Sequence, residues 1–223
     1  GATNAMVTYS GTWQGGDAIG EANSTNTGGY GFTFSNTGAG TVTITNNSTM
    51  TGGNATGDTG STNTGGYGIF LQGPNNTFTK NAAITITGGN TSGGTSATGG
   101  DGIYLTGDNN KVVSNGIVNA GTASGASTNT KGFGYRALGT GNTLSHSGAI
   151  DGNVNLGTNG IYDSRGGSIN GNMALNSGDK GVFNFVGGSS TSAKIDVGST
   201  GSTLTVDAGA TIGGRVDGRG EYL

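Results

Sequence analysis

Apolar residues along this chain come in short clusters, each alternating with polar residues and each closed by glycine or asparagine. "FTF", "TVTIT", "AITIT", "GIYL", "GVFNF", "AKIDV" and "TLTVDAGATI" are the clearest. Alternation with a period of two, in runs rich in Ile, Val, Phe and Thr, predicts β-strands with one buried face. Gly and Asn interrupt every window in which an amphipathic helix would have to form. The pattern predicts an all-β protein.

The clusters recur. Aligned on the glycine before an apolar pair, the landmarks are Gly31-Phe32, Gly68-Ile69, Gly102-Ile103, Gly134-Tyr135, Gly160-Ile161 and Gly181-Val182, separated by 37, 34, 32, 26 and 21 residues. Each landmark opens a short run, then a Gly/Asn break, then a second run, as in "GIYLTGDNNKVVSNGIV". Repeats of this size built from short strands predict a parallel β-solenoid, in which each strand pairs with its counterpart one repeat away at about 4.8 Å. A β-sandwich is the alternative, and it requires no internal repeat. The solenoid reading turns Ile69, Leu71, Ile103, Leu105, Ile161 and Val182 inward, in stacked columns.

The excess length of the early repeats is carried by "MTGGNATGDTGSTNTGGYG" and "TGGNTSGGTSATGGDG", which hold almost no large apolar residue. They read as Gly/Thr/Asn-rich lateral extensions that dwindle towards the C-terminus. The phrase "STNTGGYG" occurs at 24–31 and 61–68, and "STNTKGFG" at 127–134. Thr and Asn there can hydrogen-bond along a stack of like residues, Gly permits a corner, and the Tyr is expected to return the chain to the apolar interior. Residues 1–223 thus read as one solenoid domain, with end strands over 1–30, main coils over 31–200 and an end coil over 201–223.

Composition narrows the class further. Gly is 51 of 223 residues and charged residues are only 9%. Disordered chains are charged and Pro-rich, whereas this one has a single Pro and ordered alternation. With a net charge of −3 and nine scattered Lys and Arg, there is no basic stripe for nucleic acid. No apolar run approaches the roughly 20 residues of a membrane span. The absence of Cys fits a secreted bacterial protein, and a start at Gly1 fits a processed product or an excerpt.

"GIYLTGDNNKVVSNGIV" and "GNTLSHSGAI" resemble repeats in the passenger domains of bacterial autotransporters and filamentous-haemagglutinin-like adhesins, and "GSTLTVDAGATIGG" at 201–214 is similar to their short later repeats. The resemblance covers roughly residues 28–214. It implies a right-handed β-helix, secreted or displayed on the cell surface, with a structural or adhesive role and surface glycans or host surfaces as partners.

Candidate chemistry is sparse. Cleavage of a polysaccharide by acid-base catalysis needs two carboxylates about 5–10 Å apart. Measured from the landmark glycines, Asp108, Asp163, Lys111, Arg136 and Arg165 fall at different offsets, so they do not stack into a cluster and read as solvated turn residues. His146 is the sole histidine, and its alternation with Leu144 predicts an outward position. Without Cys or a second His, a zinc site or an activated nucleophile has little to build from, and no tandem calcium repeat occurs. No catalytic residue, metal or cofactor is assigned. Six N-x-[ST] sequons, at Asn23, Asn46, Asn47, Asn54, Asn75 and Asn90, are mostly chance matches in so Asn-rich a chain. Thr41, Thr43, Thr85 and Thr87 form pairs that would suit ice binding if they continued as a ladder, but Asn170 and Asn184 occupy comparable later stretches. Trp13 reads as packing at one end of the solenoid.

A solenoid leaves a strand edge open at each end unless it is covered. "NAMVTYSGTWQ" reads as another strand, and "GRVDGRGEYL" as a short mixed segment. Met6, Val7, Tyr9 and Trp13 are expected on one side of a head-to-tail joint between copies, with Tyr222 and Leu223 on the other. The sequence therefore predicts a non-enzymatic subunit of an extracellular surface fibre or adhesin. An ice-binding solenoid or a polysaccharide-cleaving β-helix is the alternative.

Overall fold

The computed structural model describes residues 5–37, 42–81, 84–175, 180–191, 194–198 and 201–218. Among them the regular elements are all strands, with no helix, and the sheets are parallel. One sheet has fourteen strands, one has eight and two have four each. This all-β, parallel arrangement fits a β-solenoid. In the third repeat the chain passes through strands Asn76–Lys80, Thr85–Thr87, Thr91–Ser92, Ser96–Thr98 and Ile103–Thr106. In the fifth it passes only through Thr143–His146, Ala149–Asp151 and Asn153–Asn155.

Three faces enclose the core. The fourteen-stranded sheet supplies two, because strand Val42–Thr51 pairs near its start with Asn76–Lys80 and near its end with Thr85–Thr87. The eight-stranded sheet, from Phe32–Ser35 to Val216–Asp217, supplies the third. Each face contributes a column of like residues. Ile44, Phe78, Val112, Leu144, Tyr162 and Phe183 line the first, Met50, Ile86, Val118, Ile150 and Ile169 the second, and Ile69, Ile103, Tyr135, Val154, Met173 and Ile195 the third. Burial of such side chains contributes about 1.5–3 kcal/mol each relative to exposure.

Ile69, Leu71, Ile103 and Leu105 are buried as expected. Ile161 and Val182 are not: both are half-exposed, while the adjacent Tyr162 and Phe183 turn inward. The landmark glycine changes face. Gly68 and Gly102 precede strands of the eight-stranded sheet, but Gly160 and Gly181 precede strands of the fourteen-stranded one. True register runs Phe32, Ile69, Ile103, Tyr135, Val154, Met173, Ile195 and Val216, in steps of 37, 34, 32, 19, 19, 22 and 21 residues. The 26-residue step was a jump between faces, and the shortening is abrupt at the fifth repeat.

The two four-stranded sheets account for the difference. They comprise strands Ala18–Gly20, Ala55–Gly57, Thr91–Ser92 and Ala123–Ser124, and strands Thr25–Thr27, Thr62–Thr64, Ser96–Thr98 and Thr128–Thr130. The Gly/Thr/Asn-rich stretches build them. Where the chain leaves the three-faced core for these sheets and where it comes back, its two legs touch backbone to backbone. Gly29 N donates to Gly16 O, Gly53 N to Gly29 O, Gly66 N to Gly53 O, and the chain of bonds continues through Gly89, Gly100 and Gly121 to Gly132, each bond 2.7–3.0 Å long. Every link joins an outgoing leg to a returning one.

Side chains have no room there. A Cβ at Gly66 would stand 1.9 Å from Gly29 O, and one at Gly89 1.9 Å from Gly53 O. Neither residue has a left-handed φ, so close approach is what demands glycine. The repeated phrase "TNTGGYG" is explained by this crossing: its Gly-Gly pair is the returning leg. Asparagines carry the stacking as expected. Asn63 Oδ1 accepts from Asn26 Nδ2 at 2.8 Å, Asn110 Oδ1 from Asn76 N and Asn142 Oδ1 from Asn110 N, both at 2.9 Å.

Gly66→Ala should destabilise the protein by on the order of 3 kcal/mol, lowering the thermal midpoint by about 10 °C. Gly16→Ala, where the added Cβ meets nothing within 4 Å, should shift stability by no more than about 0.5 kcal/mol. Equal midpoints for the two variants in a thermal melt would remove the steric crossing as the reason for the glycines.

Candidate functional site

Three groupings of side chains stand out, and the first is the N-terminal edge. Strand Ala5–Gln14 pairs along its whole length with Val42–Thr51, and its other edge has no partner strand among the described residues. Met6 is 83% exposed and Val7 half-buried. Tyr9 and Trp13 come together over the end of the core with Phe32. Ring centroids are 4.6 Å apart for Tyr9–Phe32, 5.6 Å for Tyr9–Trp13 and 6.2 Å for Trp13–Phe32, all edge to face. Trp13 thus packs at the end while leaving 40% of its surface open. Tyr222 and Leu223 lie outside the described residues.

The second grouping was not legible from spacing. The Tyr of "STNTGGYG" does not enter the core. Tyr30 is 42% exposed and Tyr67 half-buried, and both lie on the outer side of the eight-stranded sheet. Strand alternation does not reach them: the strands begin at Phe32 and Ile69, and each Tyr lies in the irregular corner before its strand, where the period of two no longer sets the side. Tyr30 stacks on Tyr67 at 5.0 Å, Tyr67 meets Tyr104 edge-on at 4.7 Å, and Phe70 stacks on Tyr104 at 5.4 Å. The Arg136 guanidinium closes the strip, 4.4 Å from the Tyr104 centroid and 5.4 Å from that of Phe133.

Arg136 also stands 2.6 Å from buried Asp101, as an ion pair more than a well-aligned hydrogen bond. Burial lifts the Asp101 carboxyl above its ordinary range, opposed by Arg136 and by the Phe133 amide that donates to it at 2.9 Å. Asp101 occupies the position that Tyr67 has one repeat earlier, so the offset from a landmark glycine hid the pair. Such a strip presents ring edges, hydroxyls and a half-exposed guanidinium, a surface suited to a polar ligand with apolar faces, such as a sugar.

The third grouping lies inside. Asn46, Lys80, Ser114, His146 and Ser164 occupy one column of the fourteen-stranded sheet and are all fully buried. His146 is therefore not outward, as alternation with Leu144 had predicted. Leu144 is inward, and His146, two residues on, continues the same face at the corner of the sheet. Its ring lies against Gly167, with Nδ1 3.2 Å from Ser114 O and Nε2 3.2 Å from Ser168 O. Burial lowers its pKa, opposed by those carbonyls and aided by the Lys80 charge.

The remaining charges sit outside. Asp163 and Arg165 form a surface pair at 3.3 Å, and Ser145 Oγ donates to Asp163 at 2.9 Å. The outward Thr43 and Thr45 continue to Thr77 and Thr79, but Lys111 and Val113 follow in the same columns and end the ladder. Among the described residues no three His, Cys, Asp or Glu side chains converge as a metal site, and no helix is long and apolar enough to cross a membrane. No family model, curated protein or solved structure matches the chain.

His146 gives a pH dependence. Its folded-state pKa is depressed, so below about 6.5 the unfolded chain takes up a proton that the folded one resists. Stability should be fully present above that value and should fall as pH drops below it. Between about pH 7 and 5 the thermal midpoint should decline, and His146→Gln should flatten that decline. A wild-type midpoint that rises over the same interval would show that the ring is stabilised by its proton.

Proposed function

We propose that this chain is a non-enzymatic structural protein, an extracellular or cell-surface β-solenoid subunit of a bacterial surface fibre or adhesin. In this reading the fold is a single right-handed solenoid whose first four repeats carry a lateral arm, formed by the two short sheets. The observation that carries the proposal is the parallel pairing of eight repeats, shifted in register only by a bulge between Phe133 and Tyr135 among the described pairs. It begins at a strand, Ala5–Gln14, whose outer edge has no partner strand among the described residues. Such an edge can accept a strand from another copy, and in-register stacking makes that contact head-to-tail and polar.

Met6 and Trp13 offer exposed apolar surface at the edge, and charges are too sparse for docking by ion pairs alone. The outward aromatic strip from Tyr30 to Arg136 supplies the adhesive surface, with glycans as the partner class. The interruption of the threonine columns by Lys111 and Val113 weighs against the ice-binding alternative.

Purified protein should appear in negative-stain images as filaments. Deleting residues 1–13 should give short rods with unchanged far-UV circular dichroism. A truncated protein that still forms filaments of normal length would exclude the N-terminal strand as the joint, and an intact protein that stays monomeric at high concentration would end the filament proposal.

A further inference from the structure

The corner of the fourteen-stranded sheet holds a buried positive charge that no acid among the described residues balances. Lys80 is fully buried, yet among the described residues it forms no ion pair, and its ammonium donates only to the Ile84 carbonyl in the turn that follows. Asp101, the buried acid, belongs to another sheet and is held by Arg136. Desolvation brings the Lys80 pKa down to about 8, so the group still carries its proton at neutral pH. An isolated buried ammonium is costly unless something compensates it.

Its neighbours carry polar groups without partners. Asn46 and Ser114 flank Lys80 in register, one strand spacing away on either side, and Ser48 lies two residues beyond Asn46. The Asn46 Nδ2, Ser48 Oγ and Ser114 Oγ atoms are buried and have no partner. The Asn46 carbonyl is already used, accepting from Ser48 N at 2.7 Å. His146 cannot help, since both its ring nitrogens face backbone carbonyls. The inventory therefore comprises an amide NH2, two hydroxyls and an ammonium with two spare hydrogens, without an acidic group among them. A group that accepts from the amide, the hydroxyls and the ammonium, and that also offsets the ammonium's charge, is an anion.

We infer that Asn46, Ser48, Lys80 and Ser114 form an interior site for a small monovalent anion of the halide class, enclosed as the repeats stack. Its ligands are one cation and three neutral donors, all from the first four repeats. The inference is independent of the proposed surface role, because no residue in it is exposed.

Crystals grown with bromide in place of chloride supply the direct test. A bromide anomalous peak within hydrogen-bonding distance of Lys80 Nζ is expected, and no such peak at the site would overturn the inference. In solution, at constant ionic strength, replacing gluconate by chloride should raise the wild-type thermal midpoint by several degrees. Ser114→Ala, which keeps the Lys80 charge, should reduce that chloride response, and Lys80→Met should abolish it. Equal midpoints in chloride and gluconate, or a full chloride response in Lys80→Met, would also overturn the site.

Discussion

The close approach of two chain legs, with only glycine between them, is the constraint on which the early repeats depend. From Gly16 to Gly132 each amide finds the carbonyl of the opposite leg, so one line of hydrogen bonds threads the base of both short sheets. Without it the backbone groups of a long Gly-rich excursion would be left to water, and ordering so many glycines carries a heavy entropic cost. The bonded legs offset that cost by fixing each excursion to the ones above and below. Large apolar residues are therefore unnecessary there, which is why nearly a quarter of the chain can be glycine without loss of order.

The core proper obeys a different rule. Its three faces bury columns of Ile, Leu, Val, Phe, Tyr and Met, and those columns tolerate changes in side-chain size from one repeat to the next. At the corner beside Ile44, Phe78, Val112 and Leu144, however, the inward column turns polar, running through Asn46, Lys80, Ser114 and His146. A sharp bend between two faces exposes backbone carbonyls to the interior, and polar side chains answer them. His146 stands between two of them, and its neutral ring donates to one. The cost is a set of buried polar groups that have no partner among the described residues.

Much of this was legible in the sequence, and the misses share one cause. Alternation and repeat length were enough for an all-β, parallel, repeating architecture and for the inward placement of Ile69, Leu71, Ile103 and Leu105. They were not enough to say which face a given glycine introduces, so the alignment slid from one face to another at Gly160 and put Ile161 and Val182 on the wrong side. Two side-chain orientations differ as well. Alternation with Leu144 reads His146 as outward, whereas the two are two residues apart on one face and the corner holds the ring inside. Tyr30 and Tyr67 read as the return of the chain to the interior, whereas they lie in the corner before the strands that begin at Phe32 and Ile69, on the outer side. Asp101 and Arg136 are brought together across neighbouring strands. The landmark glycines align Asp101 with the earlier Tyr, one residue before Gly102, but Arg136 falls two after Gly134, so a search for like offsets passes over the pair.

The end of the short sheets is written in the third copy of the phrase. In "STNTKGFG" a lysine replaces the first glycine of the pair, so Lys131 stands where Gly65 and Gly99 stand earlier. At Gly99 a Cβ would lie 2.0 Å from the carbonyl of Gly121, the outgoing leg of the next repeat. No such leg follows Lys131, because the fifth repeat passes directly from strand Ala149–Asp151 to strand Asn153–Asn155. The space that backbone fills in earlier repeats is open to a side chain, and Lys131 uses it to reach Asp151 at 2.8 Å. That pair is well exposed and contributes little to stability. Its significance is steric: a residue forbidden within the stack of crossings is allowed at its last member. The change from Gly to Lys therefore marks where the chain stops crossing itself, and the repeat falls from 32 residues to 19 at that point.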